Sequence, residues 1–190
     1  MERQKLVLAS SSEIRRQIVA RYDVECIYTA PLLDEELEKT KVNLKPINLS
    51  NHLAKEKARS LINDYQDHFI LGCDQICLFK DKIYEKPGSK EKAIANLMEL
   101  NGQSHQLIGS YVVFFNQEEV INHISVCEMT MKTLTSAEIE EYVNQDNPIH
   151  SCGAYKFEEN GYKLFSNITG SLEAINGLPF SVIYKMIKNV

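Results

Sequence analysis

Tryptophan is absent from this chain, and its longest uninterrupted apolar run, at 111–115, is about five residues where a membrane-spanning helix needs roughly 20. No segment is therefore read as crossing a bilayer. A surplus of positive charge is also missing: 21 Lys and Arg stand against 26 Asp and Glu, for a net charge of −5. A protein that neutralises duplex phosphates carries the opposite balance, so stable nucleic-acid binding is not expected. The lack of Trp and of a basic stripe also weighs against an enzyme of single-stranded nucleic-acid ends, although the nine Tyr and seven Phe could stack bases. No Cys-x-x-Cys pair occurs. Cys26, Cys73, Cys77, Cys127 and Cys152 are odd in number and scattered, and read as reduced, mostly buried thiols. The chain also lacks a Gly-x-x-x-x-Gly-Lys-Ser/Thr loop, a Gly-x-Ser-x-Gly elbow and any His-x-x-x-His spacing. A P-loop, a hydrolase triad and a zinc site of the usual kind are thus set aside. Only four apolar residues follow Met1-Glu2-Arg3-Gln4-Lys5, so no secretory signal and a cytoplasmic location are expected.

What remains is the composition of an ordinary globular protein, 44% hydrophobic and 25% charged over 190 residues, enough to bury a sizeable core. An apolar run at 6–9 stops at Ser10-Ser11-Ser12, after which Ile14, Ile18 and Val19 recur at helical spacing. This predicts a strand, a serine turn and a helix capped by Ser11 or Ser12. Residues 24–28 alternate as a second strand, and a polar connection at 31–46 is long enough to be a functional loop. Ser50 is placed as the cap of a helix whose apolar side runs from Leu53 to Tyr65. A buried strand follows at 69–73 and resumes at 76–79. Lys86-Pro87-Gly88 breaks the chain, Ser89 opens a helix to Leu100, and Asn101-Gly102 stops it. Strands at about 105–115 and 120–131 flank a polar turn, and Thr135 with Glu138 forms a capping box. A last helix covers about 180–188. Early alternation and a late hairpin predict an α/β protein with a mixed sheet, forming a single domain over 1–190 with two lobes and a cleft.

Three features resist a purely structural reading. Asp74 interrupts an otherwise buried stretch, 69–79, so it is either a strand-end residue in solvent or a carboxylate that is paired, hydrogen-bonded or metal-bound. Lys57 lies midway between Leu53 and Leu61 on the apolar stripe, and is either a snorkelling lysine or an ammonium aimed at phosphate. The turn at 10–12, with Arg15 and Arg16 behind it, is either a plain capped turn or an anion cradle. Lys86 adds a cation at a rigid turn, or is a solvated loop lysine. His105 sits on a strand pattern and reads as structural or supporting.

The order of these pieces resembles the Maf family, the septum-formation-inhibitor-like nucleotide pyrophosphatases. The matching segments are Leu8-Ala9-Ser10-Ser11-Ser12 with Arg15, Asp34-Glu35, Leu53-Ala54-Lys55-Glu56-Lys57-Ala58, Gly72-Cys73-Asp74-Gln75, Lys86-Pro87, Leu100-Asn101-Gly102 with His105, Gly153-Ala154-Tyr155 and Gly177-Leu178-Pro179. The resemblance implies hydrolysis of nucleoside triphosphates to monophosphate and pyrophosphate with a divalent metal, Mg²⁺ or Mn²⁺, clearing modified nucleotides from the pool. It also implies a long curved mixed sheet, two lobes with a central cleft, as in inosine triphosphatases, and a homodimer. By this resemblance Asp74 matches the proton acceptor and Glu35 a catalytic or metal-binding acid, and Asp74 and Glu35 are the expected metal ligands. Ser10, Arg15, Lys57 and Lys86 match the phosphate-handling residues, and Ser12 of the same turn is an expected substrate-binding residue. Whether Asp74 is base or metal ligand stays open at this level.

One departure bears on specificity. Many members carry Ser-Pro-Arg-Arg where this chain has Ser12-Glu13-Ile14-Arg15. Ile14, Gln75 and Glu158 stand at the family's specificity positions, and resemble the branch acting on 7-methyl-GTP rather than the thymidine and uridine triphosphate branch. The chemistry agrees, because a carboxylate can accept from both N1–H and the exocyclic amine of guanine, and favours a cationic 7-methylated base further. The rival reading is a nucleotide-binding regulator of cell division with little turnover, against which the full set of acids and cations counts.

Overall fold

The computed structural model describes residues 5–190; the first four, on which part of the signal-peptide reading falls, lie outside the described residues. A short parallel pair opens the chain: β1 (Lys5–Ala9) and β2 (Glu25–Thr29) flank α1 (Glu13–Val19). Two helices follow, α2 (Glu35–Lys41) and α3 (Pro46–Arg59), then β3 (Phe69–Phe79), which runs parallel to β1, and β4 (Lys82–Tyr84). Helix α4 (Lys90–Leu100) leads to the long strands β5 (Ser104–Phe115) and β6 (Glu118–Met131), and α5 (Ser136–Asp146) follows. Two short 3₁₀ turns precede β7 (Phe165–Ile168), and α6 (Leu172–Ile175) and α7 (Phe180–Ile187) end the fold. The sheet is seven-stranded and mixed, in the order β2-β1-β3-β5-β6-β7, with β4 paired antiparallel to β3. An α/β fold with a mixed sheet is therefore observed. Among the described residues no helix is long and apolar enough to cross a membrane.

The chain divides into two compact units, one holding residues up to 74 with 109–125 and 172–190, the other holding 75–108 and 126–171. In the first unit the strand period of two sorts side chains between two apolar layers. Leu6, Leu8, Leu71 and Cys73 pack with Ile18 of α1 and Phe180 and Ile183 of α7, whereas Val7, Ala9 and Ile70 pack with Ala54 and Ala58 of α3. In the second unit α4 buries Ala93, Leu97 and Leu100, and α5 buries Ile139, Tyr142 and Val143.

Local chemistry explains the elements that agree with the sequence and those that do not. The Thr135–Glu138 capping box is present in both directions, and α4 starts at Ser89, whose hydroxyl accepts from the Lys92 N–H. The β5–β6 turn places Asn116 and Gln117 at positive φ, the two-residue geometry whose twist suits a hairpin. The cap placed at Ser50 is a correction: α3 begins four residues earlier at Pro46, whose missing N–H costs nothing in a first turn. Ser50 is instead fully buried inside the helix, and its hydroxyl has no partner. The helix also stops at Arg59, and Leu61, Ile62 and Tyr65 pack from the turns beyond it. The connection at 31–46 is not a loop throughout, since it contains α2, capped by Asp34 through the Leu37 N–H at 3.0 Å. Helix α2 buries no side chain and is supported by Glu36–Lys39 and Glu38–Lys41 pairs, so it has no apolar period to read. Strands β4 and β7 and the short helix α6 add elements that the sequence pattern did not resolve.

Candidate active site

The site is set by one close approach. A Cβ on Gly72 would lie 2.0 Å from the Ala54 carbonyl oxygen and 2.7 Å from the Ala58 nitrogen, so the α3 backbone rests directly on β3 there. Asp74 is two residues further along the same strand face, and Lys57 sits between Ala54 and Ala58 on the helix. The result is an ammonium laid on a carboxylate. Lys57 Nζ donates to Asp74 Oδ1 at 2.8 Å and pairs with Glu35 Oε2, from the first residue of α2, at 2.9 Å.

Both readings of Asp74 and Lys57 that invoked solvent are thereby overturned. Asp74 lies inside a continuous strand at 7% exposure, and Lys57 is buried at 6%. Two carboxylates share one ammonium, Asp74 from the buried side and Glu35 from a side chain that is 40% exposed. Lys57 does not stand free for phosphate: it joins the two acids, and any anion that reaches it competes with them.

The other residues of the first unit lie at the carboxyl ends of the parallel strands, where open α/β sheets hold ligands. Strand β1 ends with Ala9 opposite Gly72 and Thr29, so the serine turn follows at the level of Cys73 and Asp74. Ser10 is buried; its N–H donates to the Thr29 carbonyl at 2.9 Å, and its hydroxyl accepts from the Ser12 N–H at 3.2 Å. Ser12 is the N-cap residue of α1, but its side chain makes no capping bond. Arg15 is more committed than its motif suggests. Its Nε donates to the Gly177 carbonyl at 2.9 Å and one terminal nitrogen donates to the Cys73 carbonyl at 3.0 Å. It therefore ties α1 to the peptide just before Asp74, with part of the guanidinium fork left over for an anion. Ile14 packs against the core layer of α1 and α7.

The second unit carries the remaining residues. Gln75 is partly buried, and Cys152 Sγ approaches its Oε1 at 4.0 Å. Lys86 is exposed and lines an open depression with Lys82, Tyr84 and Lys92. Glu158 is exposed, yet the neighbouring protein and then the charges of Glu159 and Asp146 push its carboxyl above the usual range, against the opposing pull of its own backbone and of Lys156. His105 is buried, with Nε2 2.9 Å from the Tyr155 hydroxyl and its ring against Tyr155 and Phe165. The supporting role read for it agrees with this placement.

Burial pushes the His105 imidazole down from 6.5 to about 4. Between these values the unfolded chain takes up a proton that the folded chain does not. Stability contributed by this group is complete above pH 6.5 and falls as pH drops toward 4, by up to about 3 kcal/mol. Urea unfolding of the parent chain and of His105→Gln should therefore converge in stability as pH is lowered from 7 to 4.5. A gap that stays constant over that range contradicts a neutral buried imidazole.

The donor chemistry suits a hard divalent cation. Lys57 touches one oxygen of each acid, and Mg²⁺ or Mn²⁺ is commonly held by one or two carboxylates completed by substrate phosphates and water. Among the described residues no group of three or more His, Cys, Asp or Glu is placed to cage a metal.

Comparison with known proteins places the chain in a family. The Maf-like protein family model matches residues 5–190. A 7-methyl-GTP pyrophosphatase from Bdellovibrio bacteriovorus is 37% identical over 190 residues, covering 100% of this chain and 98% of the relative. A nucleoside triphosphate pyrophosphatase from Ruegeria pomeroyi is 34% identical over 179 residues, covering 92% of this chain and 90% of the relative. A solved nucleoside-triphosphatase, a dITP/XTP pyrophosphatase from Mycobacterium abscessus, aligns with a TM-score of 0.42 at 11% identity, covering 69% of this chain and 76% of its own, too distant to add weight. With the family model spanning residues 5–190 and a relative 37% identical over the whole chain, this chain belongs to the Maf family.

Proposed function

We propose that this chain is a hydrolase acting on an acid anhydride, converting nucleoside triphosphates to nucleoside monophosphate and pyrophosphate. The observation that carries the reading is the buried Asp74–Lys57 pair, joined from its exposed side by Glu35, at the end of the parallel strands. A water oxygen attacks the α-phosphorus, the bond from that phosphorus to the α–β bridging oxygen breaks, and pyrophosphate leaves. Asp74 takes the water proton or orients the water. A divalent cation held by Asp74 and Glu35 would supply charge neutralisation on the phosphates and acidify water. Lys57 keeps the two acids together and offers its ammonium to phosphate oxygens as they arrive. Arg15 holds the Asp74 peptide in place and turns its unused N–H groups to the phosphates, and the Ser10 to Ser12 turn meets the same anion; Lys86 is read as a further phosphate-handling residue.

The base is read by Ile14, Gln75 and Glu158 in this proposal, with a guanine-type base, 7-methyl-GTP foremost, as the preferred partner. Glu158 supplies two acceptor oxygens for N1–H and the exocyclic amine, and Ile14 supplies apolar surface. The name and full-length coverage of the Bdellovibrio bacteriovorus relative support the same choice. The reading further includes a single functional domain over 1–190, a homodimer, a cytoplasmic location and a role in nucleotide-pool sanitation.

Product analysis tests the reaction. With Mg²⁺ or Mn²⁺, chromatography of 7-methyl-GTP, GTP and UTP reactions should give monophosphate and pyrophosphate in equal amounts. Diphosphate and orthophosphate as the main products would overturn the proposed bond cleavage.

A further inference from the structure

Helix α5 ends on two side chains that grip one short segment. Tyr142 and Asp146 lie four residues apart, on the same face of the helix. The Lys156 backbone N–H donates to the Tyr142 hydroxyl oxygen at 2.9 Å. Four residues on, the Asn160 backbone N–H donates to Asp146 Oδ2 at 2.9 Å, and Asn160 Nδ2 donates to Asp146 Oδ1 at 2.8 Å. Both ends of 156–160 are thus fastened to α5. The segment also closes on itself, because the Gly161 and Glu159 N–H groups both donate to the Lys156 carbonyl, at 2.9 and 3.2 Å. A Cβ on Gly161 would lie 2.3 Å from that carbonyl oxygen, so the closure depends on glycine. Glu158 stands near the middle of this loop, exposed.

Asp146 is buried at 4% exposure, and both of its hydrogen bonds above come from a neutral residue. Burial of a carboxylate is costly without a cation beside it, so the choice of Asp needs a reason. The geometry gives one. Asn160 presents two donors to the same group, and an ionised carboxylate is acceptor-only, able to receive both, whereas an amide in that place would turn its own NH₂ toward one of them. Tyr142 likewise remains a neutral phenol, since burial pushes its hydroxyl well above the ordinary range.

We infer that Tyr142 and Asp146 are positioning residues for base selection, holding the 156–161 loop so that the Glu158 carboxylate meets two N–H groups of a guanine-type base. This rests on the reading of Glu158 as the residue that contacts the base. A two-point hydrogen bond demands a fixed direction of the acceptor, and an exposed side chain on an untethered loop has none.

The test is the ratio of kcat/KM for 7-methyl-GTP to that for UTP, measured under one metal and pH. Glu158→Gln should lower the ratio roughly tenfold, since one acceptor becomes a donor facing a donor. Asp146→Asn and Tyr142→Phe should each lower it by about three- to tenfold, and neither should lower it further in the Glu158→Gln background, because the effect passes through Glu158. Asn160→Ala removes one of the two Asp146 bonds and leaves the backbone bond, so it serves where Asp146→Asn does not fold; its ratio should fall about two- to fivefold. A merely structural role would slow both substrates alike and leave the ratio unchanged. The inference is overturned if Glu158→Gln shifts the ratio while Asp146→Asn, or Asn160→Ala in its stead, does not, or if the shifts multiply in the double variants. A Glu158→Gln ratio equal to that of the parent removes the base reading itself, and the inference with it.

Discussion

Asp74→Asn is expected to fold like the parent chain, to bind nucleoside triphosphate and to lose at least about 10³ in kcat. Asparagine keeps the shape of the side chain inside β3 and can still accept from Lys57 at Oδ1, but it carries no charge and takes up no proton. Lys57 retains Glu35 as an ionic partner at 2.9 Å, so the ammonium is not stranded. Circular dichroism checks the fold, calorimetry checks nucleotide binding, and pyrophosphate release checks turnover. Turnover at the parent rate in this variant would remove Asp74 from the reaction. The metal dependence of the residual rate separates two roles: a loss of apparent Mg²⁺ affinity marks a ligand, and an unchanged affinity with a lower plateau marks a base.

Lys57→Met is expected to damage stability and rate together. The chain would keep Asp74 and Glu35 near one another with no ammonium between them, and Asp74 is 7% exposed. Breaking a buried pair by removing one partner costs roughly 3–5 kcal/mol, and the partial exposure of Glu35 places this case near 3 kcal/mol. Urea unfolding measures that loss. Added Mg²⁺ should narrow the gap to the parent, because a cation on the two acids stabilises the folded state by mass action. The rate should fall by about 10² to 10³ through loss of charge stabilisation at the phosphates. A variant as stable as the parent, with or without Mg²⁺, would show that the pair contributes nothing to the fold and that the two acids do not share a cation.

Much of the fold was legible because it depends on near neighbours. The apolar run of Leu6 to Ala9, the Thr135–Glu138 box and the Ser89 cap are each decided within a few residues and each is found where the sequence places it, and the polar turn at 116–119 is found shortened to Asn116-Gln117. Residue order also carried the family motifs, and through them the candidate site. Helix α2 was not legible, since a helix that buries nothing shows no apolar period, and the start of α3 was misplaced because Ser50 resembles a cap while Pro46 begins the turn.

By itself, then, the sequence determined which residues bear charge, where the longer strands and α1, α4, α5 and α7 form, and which motifs stand in what order. Tertiary structure decided what those charges do. Whether Asp74 faces solvent or an ammonium depends on Gly72 admitting the backbone of α3, and residues 57 and 74 meet only once that contact forms. Arg15 binds two carbonyls rather than standing open, and Tyr142 and Asp146 hold a loop that begins fourteen residues after Tyr142. The physical reason is range: period and capping energies act over one or two turns of chain, whereas the partner of a buried charge is chosen by packing between segments far apart in sequence.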